Sequence, residues 1–141
     1  MTASIITIST ETDEAAKIVE NGLDAFNAMH NGPDPTKPLW FICRDDQGNV
    51  LGGLQGFTQW DWFAIAILWV REESRGQGIG SRLLTEAEEE ARKRGCTKFR
   101  LGTMTFQAPD FYKKFGYDEV GRMTDLPPGQ SYIWMTKVVS V

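Results

Sequence analysis

The sequence has little cysteine, one histidine, no long apolar run and no excess of positive charge. Of 141 residues only Cys43 and Cys96 are cysteine. They stand far apart and in no C-x-x-C or Cys/His cluster, so neither a disulfide framework nor a zinc site is indicated. His30 is the one histidine, too few for a His-based metal site, and no metal is expected. No apolar stretch approaches the ~18 residues that a membrane-crossing helix needs, so no membrane partner is expected. The net charge is -4 and the pI about 5.0. That excludes a chain that grips nucleic acid by overall basicity, because such chains collect Lys and Arg to replace counterions. Met1 to Ile8 lack a basic stretch followed by an apolar one, so no export signal is expected and a cytoplasmic location is.

What is present is a globular composition, 41% hydrophobic and 24% charged. The length suits one domain over 1–141 with a core that needs no staples. The charge is unevenly spread. Residues 1–70 hold three cations against nine acids, residues 71–114 ten against seven, and residues 115–141 two against three. A basic island thus lies mid-chain in an acidic protein, where it can meet an anion.

Apolar periodicity gives an alternating order of elements. Ser4–Ser9 reads as a β-rich run, and Thr10 or Thr12 can cap a helix over 11–29 carrying Ile18, Val19, Leu23, Phe26 and Met29. Residues 39–43 and 50–57 form a hairpin around Asp45–Asn49. Residues 63–70 are almost wholly apolar, as in a strand buried on both faces. Residues 78–94 form the clearest helix, striped by Ile79, Leu83, Ala87 and Ala91. Its pairs Glu88–Arg92, Glu89–Lys93 and Glu90–Arg94 are expected on the wet side. A strand over 97–103, a short helix over 108–115 and strands over 117–123 and 131–137 complete a β-α-β-β-β-α-β-α-β-β order in one α/β domain.

The most informative stretch is Arg75-Gly-Gln-Gly-Ile-Gly80, between the buried strand and the strong helix. Its glycines let backbone N–H groups face a ligand without Cβ obstruction, and the helix start adds the positive end of a dipole. A phosphate or pyrophosphate is the natural ligand, with Arg75 supplying a cation. The dinucleotide fingerprint fails by spacing, since positions 81 and 83 are Ser and Leu, which argues against a nucleotide-dependent oxidoreductase. The Walker pattern fails because no Gly-Lys pair exists.

Arg75-x-x-Gly78-x-Gly80, after Leu68-x-Val70, resembles the acyl-CoA signature of the GNAT superfamily of N-acyltransferases. Ala108-Pro-Asp-Phe-Tyr-Lys-Lys-Phe-Gly-Tyr117 is similar to the family's second motif. The resemblance spans nearly the whole chain and is weakest over 1–38 and 123–141. It implies a mixed central sheet of six to seven strands, flanked by helices 11–29, 78–94 and 108–115, in which strands 63–70 and 97–103 run parallel and splay apart. It implies acetyl-CoA as cosubstrate and CoA as product. The pantetheine arm would bond backbone near Leu68 and Val70. The pyrophosphate would rest on Arg75, Gly76, Gln77, Gly78, Ile79, Gly80 and Ser81. A backbone N–H near Trp69 or Val70 would polarise the thioester. Gln107, Phe111 and Lys114 would complete the cofactor site, and Tyr112 would protonate the departing thiolate.

The family often places a carboxylate on the strand before the loop, and this chain has none between Phe63 and Val70. Glu72 and Glu73 acting through water, Asp61, His30, or a water chain alone remain open as the base. Trp40, Trp60, Asp61 and Trp62 are candidates for receiving an organic amine through cation–π and Coulomb attraction. The implied reaction is acetyl transfer to a primary amine, a small molecule first and a protein or peptide second. A non-catalytic acyl-CoA-binding module is the rival. Members of the family are often dimers, so a homodimer is a further expectation.

Overall fold

The structure, a computed structural model, describes residues 7–139. The chain divides into two units, Met1–Asp34 and Pro35–Val141. In the first, helix α1 spans Glu14–Asn31. It starts later than expected: Asp13 is the N-cap, at φ 59°, and no side chain caps the end, so neither Thr10 nor Thr12 does so. The run Ser4–Ser9 lies partly outside the described residues, and Thr7 to Ser9 carry no strand. His30 Nδ1 lies 3.0 Å from the Phe26 carbonyl one turn back.

In the second unit the strands are β1 (Lys37–Arg44), β2 (Val50–Gln59), β3 (Trp62–Val70), β4 (Lys98–Met104), β5 (Asp118–Thr124) and β6 (Ser131–Val138). They form one six-stranded sheet in the order β1-β2-β3-β4-β6-β5. Every neighbouring pair is antiparallel except β3 and β4. That parallel pair is joined through a single 3-10 turn (Glu72–Ser74) and helix α2 (Ile79–Lys93), as a parallel connection requires. Helix α3 (Pro109–Lys114) follows β4.

Strict alternation along β2 separates two faces of the sheet. Phe41, Leu54 and Leu68 share one cross-strand row, and Leu39, Gly56 and Ile65 another. α2 packs across β1, β2 and β3, and its Leu83, Leu84, Ala87 and Ala91 join Leu54, Phe63, Phe99 and Met135 in the core. Burial of that apolar area is the main force holding the unit together. The opposite face carries the rows Trp40–Gln55–Ile67 and Ile42–Gly53–Trp69.

One irregularity shapes the site. β3 pairs with β2 from Trp62, but the register shifts between Gln55 and Gly56, which leaves Ala66 opposite no partner. A bulge of this kind bends its strand. On its other side β3 pairs with β4 only from Trp62↔Lys98 to Ile65↔Leu101. β4 continues alongside β6 to Met104↔Tyr132. The two parallel strands therefore part at the bulge, and the edge of β3 beyond it is open.

Candidate active site

The open edge is one wall of a cleft of about 900 Å³, lined by Ile65 to Val70 of β3, the loop before α2, the end of β4 and the face of α3. Its backbone polarity follows from one hydrogen bond. The Arg71 N–H donates to the Leu51 carbonyl at 2.7 Å, so the Val70 carbonyl in the same peptide points the other way, toward the cleft. Alternation then turns the N–H and C=O groups of Val70 and Leu68 into the cleft and those of Trp69 toward β2. Trp69 thus offers its indole, not its amide, to the site.

At the far end of β3 the chain forms a corner whose groups suit an anion. Arg75 Nε donates to the Val70 carbonyl at 2.9 Å, which anchors the guanidinium to the strand end. Gly76 and Gly78 adopt φ of +80° and +82°, a region other residues enter only with strain. Gly78 is the N-cap of α2 and no side chain caps the helix. The first helical bond, from Arg82 N–H to the Gly78 carbonyl, leaves the N–H groups of Ile79, Gly80 and Ser81 without a capping side chain. Together with the helix dipole they fit a pyrophosphate. Arg75, Gly76, Gly78, Ile79, Gly80 and Ser81 all line the cleft, and Gln77 does not.

Across the cleft stands α3. Its Phe111 and Tyr112 line the wall, and Tyr112 is 8% exposed. No buried side-chain oxygen among the described residues lacks a partner, and the Tyr112 phenol bonds to none of them, so its oxygen opens on the cleft that the residue lines. Burial pushes the Tyr112 phenol up to about 12, which keeps it protonated at any ordinary pH. Gln107 also lines the cleft. Its Oε1 accepts from Met104 N–H at 2.8 Å and from Thr103 Oγ1 at 3.3 Å, so its carbonyl end holds the loop while its amide nitrogen stays available. Lys114 lies at the end of α3, outside the cleft.

Other residues singled out from the sequence are not gathered here. Trp60 and Asp61 form the turn between β2 and β3 and Trp62 opens β3, at the end away from the splay. Asp61 pairs with Lys98 at 2.9 Å, and that hydrogen bond holds its carboxyl below the usual range, which makes it a weak base. Trp40 is two strands away, in the row of Ile67. Glu72 and Glu73 are exposed in the 3-10 turn, with Glu73 facing Arg71 at 3.5 Å, and neither lines the cleft. Arg75 is the one charged residue among those that do.

Several cleft residues had no motif to announce them, Phe106 and Gly102 among them. Phe106 lines it and is exposed, and Gly102 lines it without a side chain. A Cβ on Gly102 would collide with the Tyr132 phenol, which stacks edge-on against Trp134 with ring centres 4.6 Å apart. An isolated glycine in a strand is a signal of such close approach.

An open strand edge, an uncapped helix start and a buried phenol facing one cleft are the features that an acyl-CoA-dependent acyltransferase needs. The model of the acetyltransferase (GNAT) family matches residues 6–117. An acetyltransferase of Agrobacterium fabrum is 40% identical over 124 residues, covering 88% of this chain and 90% of that protein. A blasticidin-S acetyltransferase of Streptomyces morookaense is 44% identical over 90 residues, covering 63% of this chain and 65% of that protein. A crystal structure of an acetyltransferase from Bacillus cereus superposes with a TM-score of 0.88 at 33% identity, over 95% of this chain and 98% of that one. The chain belongs to the GNAT acetyltransferase family and is an acetyl-CoA-dependent N-acetyltransferase. Among its described residues no helix is long and apolar enough to cross a membrane.

Proposed function

We propose that this enzyme acetylates a primary amine of a small molecule, which attacks acetyl-CoA directly while both are bound. The observation that carries the reading is the cleft itself. It joins an anion-binding corner to a buried, protonated phenol past an open strand edge. With the pyrophosphate on Arg75 and the start of α2, the pantetheine arm lies along β3. The amides of Val70 and Leu68 replace the β4 partner that the splay removes. Leu68 is nearer the apex at Ile65 and Leu101, so its N–H is the donor placed for the charge that builds on the thioester oxygen. The earlier candidates there, Trp69 and Val70, give way to it because the Trp69 amide faces β2 and Val70 lies nearer the anion corner.

The N–C bond forms first, moving the carbonyl electron pair onto oxygen, and as that pair returns the C–S bond breaks. Tyr112 gives its proton to the leaving sulfur, and water carries the proton released by the amine. A water route suits a cleft whose lining holds no carboxylate and no imidazole. Reprotonation of the phenol from solvent resets the site.

The aromatic lining supports a small organic acceptor. Trp69 and Phe106 line the cleft, and Tyr132 overlies Gly102 at its wall. Aromatic faces attract an ammonium group as it loses water. The relative named for blasticidin S acetylates a small molecule, which points the same way. Free thiols at Cys43 and Cys96 suit a reducing compartment and support a cytoplasmic location.

The test is to incubate enzyme and acetyl-CoA with and without small primary amines and to weigh both products and protein. Direct attack predicts acetylated amine and no acetyl group on the protein when the amine is left out. An acetylated enzyme formed without amine and discharged by it would refute direct attack.

A further inference from the structure

Glu88 is a buried charge that the mechanism above does not use. Its side chain is only 6% exposed, although the sequence pattern groups it with the wet-side pairs of α2. The carboxylate accepts from Tyr117 Oη at 2.6 Å and from Lys137 Nζ at 2.6 Å, with Arg92 beyond at 3.8 Å. Lys137, on β6, is itself 12% exposed and also donates to the Phe115 carbonyl at 2.9 Å. Its ammonium lies 5.0 Å from the centre of the Tyr117 ring.

These contacts converge on the C-terminal turn of α3. The Tyr117 N–H donates to the Tyr112 carbonyl at 3.1 Å, and the Tyr117 and Tyr112 rings meet edge-on with centres 5.9 Å apart. Between them Gly116 turns at φ +92°, so close to Lys137 that a Cβ would lie 3.2 Å from its Cδ. A buried ion pair is weak support for stability, because apolar residues of the same volume commonly serve as well. What it supplies is direction, which apolar contacts lack.

We propose that Glu88 and Lys137 are positioning residues. Their ion pair ties α2 and β6 to the last turn of α3 and, through Tyr117, sets the Tyr112 phenol where it can reach the leaving sulfur. The proposal rests on Tyr112 as the acid, and the test separates the two.

The double variant Glu88→Gln/Lys137→Met removes both charges, keeps both volumes and leaves Tyr117 an oxygen to bond. An acid displaced by about 1 Å costs on the order of 100-fold. We expect the double variant to lose about 10- to 100-fold in kcat, with the Kd of acetyl-CoA unchanged. Tyr117→Phe, which keeps the ring and drops one hydrogen bond, loses part of that. Added to Tyr112→Phe, the double variant costs nothing further. Equal losses in both backgrounds would make the pair a general structural element and overturn the proposal. So would an unaltered kcat in the double variant while Tyr112→Phe alone is slow. A full rate in Tyr112→Phe alone would instead remove the acid, and the proposal with it. Tyr117→Phe is read the same way in the two backgrounds if the double variant does not fold.

Discussion

Gly78→Asp puts a carboxylate at the uncapped start of α2, where the pyrophosphate is proposed to rest. Two costs are separable. The first is backbone strain: Gly78 sits at φ +82°, which costs an L-residue about 1–2 kcal/mol. The second is charge. Two unit charges about 4 Å apart at an effective dielectric of about 20 repel by about 4 kcal/mol. At an exposed position roughly half of that survives, about 2 kcal/mol, or about 30-fold in affinity. Gly78→Asn has the same shape and no charge, so it isolates the second term. A Cβ at Gly78 meets no protein atom within 4 Å, so neither variant is disturbed by collision inside the protein. Calorimetric titration with acetyl-CoA should show the Asp variant weaker than the Asn variant by that factor, and the gap should shrink as salt rises. Equal affinities for the two variants would refute the placement of the pyrophosphate at the start of α2.

Three further outcomes are expected. Burial raises the Tyr112 phenol in the folded state to about 12, above its unfolded value near 10. Its contribution to stability is therefore complete below about pH 10 and is lost as pH climbs toward 12, on the order of 2–3 kcal/mol; Tyr112→Phe should flatten that alkaline loss in urea titrations. Leu84 is 0% exposed under the sheet, and Leu84→Ala should cost about 2–5 kcal/mol in urea unfolding, whereas a loss below about 1 kcal/mol would mean that α2 is not packed there. Gly102→Ala drives Tyr132 from its place, so the KM of the amine should rise while the Kd of acetyl-CoA holds, as steady-state kinetics and titration would show.

The parts of the site legible in the sequence are those encoded locally. Glycine spacing and the strong stripe of α2 singled out the loop over 75–81, and the segment 108–117 singled out Tyr112; the structure brings both to one cleft, where the phosphate and acid roles are proposals. The splay was not legible in the residues themselves, because Ala66 sits inside an unbroken apolar run and its bulge depends on the register with β2. Asp61 reads from the sequence as a candidate base and amine-binding residue, and only the pairing of β3 with β4 brings Lys98 to it. Trp60 and Trp62 are close in sequence to the cleft residues of β3, yet the strand's length carries them to its other end. Glu88 shows the limit of pattern reading. Its i,i+4 partner Arg92 is present at 3.8 Å, but Lys137, 49 residues away, decides that the carboxylate is buried.

Thiol release from acetyl-CoA, followed with a panel of small primary amines and of peptides for the wild type and Tyr112→Phe, tests the account most directly. It predicts release that depends on a small amine and that falls about 100-fold or more in Tyr112→Phe, with acetyl-CoA binding intact. Release driven by peptides alone, or an equal rate in the two proteins, would contradict it.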